Sequence, residues 1–184
     1  DLVIDEESGK ITPIYPQRAW LSGCKNLETM ESKYFTSFDA FMGWMLAKRD
    51  NKNIEVAFHN LRFDGSYIVP WLLNNGYYVT QEKPEPREFS VLIDERNAWY
   101  SITIQVSARR KVTIWDSAKL FPMQLKVLHD VYGTPTQKLH EPQSFYNEVR
   151  MPGHKPTEEE KMYFENDLAV LAETINAHIN RYGL

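Results

Sequence analysis

The sequence predicts an α/β fold: a mixed β-sheet flanked by helices, with an inserted β-hairpin. Three patterns lead there. An apolar run, Ile54–Phe58, reads as a buried strand and runs into a helical segment. Residues 77–115 are dominated by strand patterns, in which Tyr100, Ile102, Ile104 and Val106 alternate with Ser101, Thr103 and Gln105. A long closing helix opens at Thr157-Glu158-Glu159-Glu160, the capping-box spacing, and runs to about Asn180.

The elements follow in order. Residues 2–5 form a short buried strand, and 18–25 and 34–36 are its expected partners, with Gly9, Pro13 and Pro16 in the connection. Ser37 is an N-cap for a helix in which Phe38, Phe41, Met42, Met45 and Leu46 share the core face. After the strand at 54–58, Tyr67 to Leu73 reads as a helix ending at Asn74-Asn75-Gly76. Pro70 is expected near its first turn or at a kink. Strands at 88–94 and 98–106 flank the turn Glu95-Arg96-Asn97, and 111–115 is a further strand. A helix at 119–132 is closed by Gly133, and 134–156 is a Pro-containing loop.

The 184 residues, 42% apolar with five Trp, suffice for one domain spanning 1–184. No apolar run approaches the ~20 residues that span a bilayer, so no membrane is expected as a partner and the cytoplasm is the expected setting. The single Cys24 excludes an internal disulfide and a cysteine zinc site. The chain begins at Asp1, which reads as a domain cut from a longer protein. A formal charge of -4 argues against a broad nucleic-acid-binding face, and only Arg109-Arg110-Lys111 concentrates positive charge, as a phosphate contact or a solvated hairpin tip.

The acidic residues change that picture. Asp5 and Glu7 share one face at the end of the first strand, Asp64 stands where a strand meets a helix, and Asp167 lies on the last helix. Asp5 and Glu7 alone also fit an exposed acidic turn. Asp167 shares its helix face with Tyr163, Val170, Leu171 and Thr174, so it points toward the core, where a carboxylate needs a partner or a metal. Four carboxylates from three distant segments suggest two-metal phosphodiester chemistry, and two divalent ions would cancel the net charge. Without metal such carboxylates repel, so neutralising Asp64 or Asp167 is expected to spare apo stability. Tyr163, one turn before Asp167, can orient a water or simply pack. Asn60 can bond a sugar or phosphate oxygen, and Phe63 can stack on a base; a turn Asn and a core Phe are the alternatives. His59 beside them is a ligand candidate or a hydrogen-bonded structural residue.

These motifs resemble the 3′→5′ exonuclease domain of protein-primed family B DNA polymerases of bacteriophages, adenoviruses and linear plasmids. Asp5-Glu6-Glu7-Ser8 stands where the D-x-E-T motif belongs, with Ser8 for Thr; Asn60-Leu61-Arg62-Phe63-Asp64 matches N-x-x-F-D; Tyr163 to Asp167 matches Y-x-x-x-D. The resemblance implies a ribonuclease H-like fold and two Mg²⁺ or Mn²⁺ ions held by Asp5, Glu7, Asp64 and Asp167. It implies a single-stranded DNA 3′ end as substrate, contacted by Ser8, His59, Asn60, Phe63 and Ser117. Ser117 heads a stretch similar to the family's strand-binding (S/T)-L-x-x-h motif, where Ala118 replaces Leu. Lys138 stands 21 residues beyond Ser117, at the place of a catalytic lysine that touches the scissile phosphate. Ala57 stands where Tyr is frequent. The polymerase motifs D-x-x-S-L-Y-P and Y-x-D-T-D do not occur, so the polymerase domain of a parent chain is an expected partner, and a terminal protein another. The competing readings are a non-catalytic module binding single-stranded DNA or a terminal protein, and a ribonuclease of the same fold.

Overall fold

A computed structural model describes residues 2–4, 11–13, 18–47, 52–140, 150 and 153–183. Five strands form the main sheet: β5 (Ile54–Phe58), β6 (Tyr78–Val79), β7 (Glu88–Ile93), β8 (Trp99–Ser107) and β9 (Arg110–Asp116), in the order β5-β9-β8-β7-β6. β5 runs parallel to β9 and β6 parallel to β7, while β7-β8 and β8-β9 are antiparallel, so the sheet is mixed. Two short antiparallel pairs stand apart from it: β1 (Leu2–Ile4) with β2 (Ile11–Pro13), and β3 (Ser22–Lys25) with β4 (Ser32–Phe35). The expected class is therefore the observed one. The 88–106 hairpin is built into the main sheet, and β3–β4 is a separate two-stranded hairpin. Ile11–Pro13, expected as connection, is a strand.

Strand alternation divides the core in two. Ile102, Ile104, Val112 and Ile114 pack with α1 (Phe38–Met45) and α2 (Leu61–Asn74) through Phe41, Met42, Leu61, Ile68 and Leu72. Ala57 and Trp115, one residue out of phase, pack with α3 (Leu125–Tyr132) and α4 (Glu158–Tyr182) through Leu128, Val170, Leu171 and Ile175. Helices thus cover both faces, and none of them among the described residues is long and apolar enough to cross a membrane.

The caps follow the sequence. The Ser37 hydroxyl accepts from the Ala40 N–H at the start of α1. Thr157 and Glu160 form the full capping box of α4, and Glu160 also accepts from Arg150 and His154.

Two helix starts differ from expectation. α2 begins at Leu61, six residues before Tyr67, because Asn60 takes a left-handed conformation (φ 71°, ψ 58°) that turns the chain directly from β5 into the helix. Pro70 consequently lies mid-helix. The carbonyl that its missing N–H would have served belongs to exposed Ser66, where water can satisfy it. α3 begins at Leu125 rather than Lys119. Residues Ser117–Lys119 form a 3₁₀ turn, and Pro122 stops it from continuing as α-helix.

Arg110 corrects the solvated-tip reading. It is only 6% exposed and donates to the Lys52 carbonyl at 2.7 Å and the Met45 carbonyl at 3.1 Å, tying β9 to the end of α1. The phosphate contact is thereby excluded for this guanidinium; Arg109 and Lys111 remain exposed.

Gly65 permits the close approach of α2 to β8, since a Cβ there would lie 2.5 Å from the Trp99 ring. Gly65→Ala is expected to cost about 1–2 kcal/mol: overpacking costs roughly 1–3, offset in part by the better helix propensity of Ala. Chemical denaturation checks this, with Gly43→Ala, where a Cβ meets nothing within 4 Å, as the control.

Candidate functional site

The parallel pairing of β5 and β9 puts both C-terminal ends at the same edge of the sheet. Phe58 pairs with Asp116, so the residues that follow β5 sit beside the end of β9. One Asp116 oxygen accepts from the Asn60 N–H at 2.9 Å and the Ala118 N–H at 3.0 Å; the other lies 3.6 Å from Lys119 Nζ. Asp116 is 4% exposed. It thus fixes the left-handed turn at Asn60 and the 3₁₀ turn at Ser117 together. The sequence reading passed over Asp116. Its signal is a carboxylate closing a buried strand, which acquires meaning only once the parallel register is known.

Asp64 lies in the first turn of α2. Burial pushes its carboxyl up to about 7; its own backbone N–H opposes this, and the charge of Asp116 adds to it. No cation pairs with it among the described residues. A desolvated carboxylate without a counter-ion, next to a second carboxylate, is the donor chemistry that suits a divalent metal.

Asn60 caps the helix by position alone: its side chain makes no capping bond and is exposed. Phe63 is 56% exposed and meets Tyr67 edge-on, 5.7 Å between centroids. An exposed aromatic ring beside Asn60 forms a platform open to a planar ligand, and the core alternative for Phe63 falls away.

His59 and Ser117, the chain neighbours of Asn60 and Asp116, bond to each other. His59 Nε2 donates to the Met123 carbonyl at 2.8 Å, which leaves Nδ1 of a neutral ring to accept from the Ser117 hydroxyl at 3.0 Å. Ser117 is fully buried. Both were expected to contact a DNA strand, and each also bonds within the protein.

A second group of candidate side chains lies on α4. Tyr163 and Asp167, one turn apart, meet Lys138, whose ammonium donates to the Tyr163 hydroxyl at 2.6 Å and to Asp167, and lies 3.8 Å from the Tyr163 ring centroid. Burial alone would lower the Lys138 pKa, but the bonds to Asp167 and Tyr163 outweigh it and the net shift is upward. Leu171, the turn after Asp167, packs in the same cluster as Ala57 and Trp115, which brings α4 against the β5–β9 pair. Asp5, Glu7 and Ser8 lie outside the described residues; β1 ends at Ile4, immediately before Asp5. Among the described residues, which include Asp64 and Asp167, no three potential metal ligands converge.

The comparisons with known proteins agree on one family. The family model described as DNA polymerase type B, organellar and viral, matches residues 46–182. The DNA polymerase of Bacillus phage phi29 is 31% identical over 169 residues, 89% of this chain and 28% of the relative. That of Streptococcus phage Cp-1 is 29% identical over 125 residues, 66% of this chain and 19% of the relative. Among solved structures, phi29 DNA polymerase complexed with single-stranded DNA superposes with a TM-score of 0.80 at 29% identity, covering 89% of this chain and 29% of that one. The same polymerase with primer-template DNA and incoming nucleotides gives 0.78 at 27% identity, covering 99% and 30%. The chain thus spans less than a third of these relatives.

Proposed function

Because the chain belongs to the type B DNA polymerases of organelles and viruses, we propose that it is the metal-dependent 3′→5′ exonuclease unit of such an enzyme. It would release deoxynucleoside 5′-monophosphates from single-stranded DNA ends. The observation that carries this reading is the Lys138–Tyr163–Asp167 constellation: an ammonium and a phenol held together at a carboxylate. That set can bind a phosphate oxygen and orient a water.

Asp5, Glu7, Asp64 and Asp167 would hold two Mg²⁺ or Mn²⁺ ions; the uncompensated Asp64 carboxylate fits that role. When bound, the ions would supply a nucleophilic hydroxide near neutral pH and offset charge on the attacking and leaving oxygens. Phe63 stacks on the terminal base and the Asn60 amide bonds its sugar or phosphate, which fixes the strand without reading its sequence. His59 and Ser117 keep the turn beneath them rigid. Tyr163 orients the attacking water toward phosphorus. The water oxygen bonds to phosphorus as the P–O3′ bond breaks, the 3′-oxygen leaves with the shortened strand and takes up a proton from solvent, and Lys138 donates to the phosphate oxygen as charge builds on it. In the parent enzyme the unit would remove misinserted nucleotides, with the polymerase portion and a terminal protein as partners.

The test is degradation of a 5′-labelled single-stranded DNA oligonucleotide with Mg²⁺ or Mn²⁺, beside an RNA of the same sequence. A ladder shortening from the 3′ end, absent with EDTA and in Asp64→Ala, is expected. No cleavage and no metal-induced thermal shift would instead indicate a non-catalytic binding module, and faster RNA cleavage a ribonuclease.

Phe63→Ala is expected to raise KM for the oligonucleotide about tenfold with little change in kcat, since one lost base–aromatic stack is worth roughly 1–3 kcal/mol. Steady-state kinetics on a short single strand measure it.

A further inference from the structure

Lys138 reaches the α4 pair from a segment without helix or strand, and something must hold that segment in place. Two α4 side chains do. The Asn166 amide nitrogen donates to the Gln137 carbonyl at 2.9 Å, and its oxygen accepts from the Leu139 N–H at 2.8 Å. These two bonds bracket Lys138 in the way a neighbouring strand would. Glu173 receives the Thr136 N–H at 2.8 Å on one carboxylate oxygen and the Thr136 hydroxyl at 2.7 Å on the other. Asn166 and Glu173 are seven residues apart, two turns along one face of α4.

We propose that Asn166 and Glu173 are positioning residues which hold residues 136–139 against α4 so that the Lys138 ammonium sits at Tyr163 and Asp167. The assignment rests on the nuclease reading of Lys138. Neither residue touches the reacting atoms. Each acts through Lys138, whose flexible four-carbon stem would otherwise sample many positions. Placement errors of about 1 Å at a reacting centre can cost on the order of 10²-fold in rate. α4 then supplies both the reacting side chains and the template that locates their partner.

The experiment is a double-mutant cycle on exonuclease kinetics with the 184-residue chain. Asn166→Ala and Glu173→Ala are each expected to lower kcat roughly 10- to 100-fold with KM nearly unchanged. In a Lys138→Ala background neither should lower it further. Glu173→Gln, which keeps an acceptor for Thr136, should retain more activity than Glu173→Ala. Equal losses in both backgrounds would overturn the assignment, because a general structural role acts whether or not Lys138 is present.

A second measurement stands independently of activity: acetylation of Lys138 by acetic anhydride, followed by mass spectrometry with exposed Lys111 as internal standard. Asn166→Ala and Glu173→Ala should speed Lys138 modification several-fold relative to Lys111. An unchanged ratio overturns the proposal. If the wild type shows neither cleavage nor a metal-induced thermal shift, the nuclease reading fails, and this ratio alone decides whether the two residues hold the lysine.

Discussion

Asp64→Asn is expected to stabilise the metal-free protein at pH 8 while abolishing cleavage. The folded-state carboxyl sits at about 7, well above its usual 3.8. Below pH 4 it is protonated in both states and costs nothing. Between pH 4 and 7 the unfolded chain ionises while the folded protein keeps the proton, so stability is lost as pH rises; above 7 the deficit is complete. One pKa unit corresponds to 1.36 kcal/mol, so a rise from 3.8 to about 7 is a deficit of roughly 4 kcal/mol. Denaturant melts at pH 4 and pH 8 check the sign: wild type should lose stability between them, and Asp64→Asn should not lose this component. Adding Mn²⁺ should narrow the difference. A ligand at a hundred times its dissociation constant adds about 2.7 kcal/mol to whichever form binds it, and the variant lacks one donor. Cleavage should fall roughly 10³-fold or more, as several kcal/mol of metal stabilisation of the transition state are lost. A large apo destabilisation in Asp64→Asn would show the carboxylate to be a structural acceptor instead.

Lys138→Ala should act with the opposite sign on stability. Its ammonium compensates Asp167 and holds the Tyr163 hydroxyl. Removing it deletes the ammonium bond from both groups, at a cost of about 1–3 kcal/mol. Because the folded lysine pKa is raised, its contribution is fully present below the unfolded value of about 10.4 and fades only as pH rises through the folded value. The loss should therefore be nearly flat from pH 6 to pH 9, unlike the Asp64 effect. The kcat should fall about 10²–10³-fold, the usual result of removing one donor aimed at developing negative charge. In the sequence Asp64 and Asp167 are alike, two carboxylates that repel without metal. The geometry separates them: Asp167 has an ammonium partner, so Asp167→Asn is expected to lose apo stability where Asp64→Asn gains it.

Much of the fold is legible in residue patterns because it is set locally. Ile54–Phe58 forms as a strand where its apolar run lies, Ser37 and Thr157 cap as their types dictate, and Gly133 closes α3 in a left-handed conformation. The misplaced helix starts have local causes with weak signals. A left-handed Asn at position 60 is rare enough that the sequence suggests a later start, and Pro122 outweighs the apolar spacing of 119–125. Arg110 is different in kind. Nothing near it in sequence reveals that the carbonyls of Met45 and Lys52 receive its guanidinium, because those partners lie about sixty residues away along the chain. The same holds for the site. Asp64 and Asp167 declare themselves by their place in an apolar pattern, and Lys138 only by resemblance to a family. Asn166 stands out only beside Asp167 in the third motif, and Asp116 and Glu173 stay silent until the strand register and the path of residues 136–139 are known.

The 25 residues of α4 also limit what insertions the chain can tolerate. Each residue added to an α-helix turns everything beyond it by about 100°. A single alanine inserted between Asn166 and Asp167 would leave Tyr163 and Asn166 facing Lys138 while swinging Asp167 and Glu173 round the axis, dividing one functional face into two. The same alanine inserted after Ile179 would disturb none of these residues. Length variation in this helix is therefore tolerable only toward its C-terminal end, and its first four turns behave as a ruler with fixed graduations.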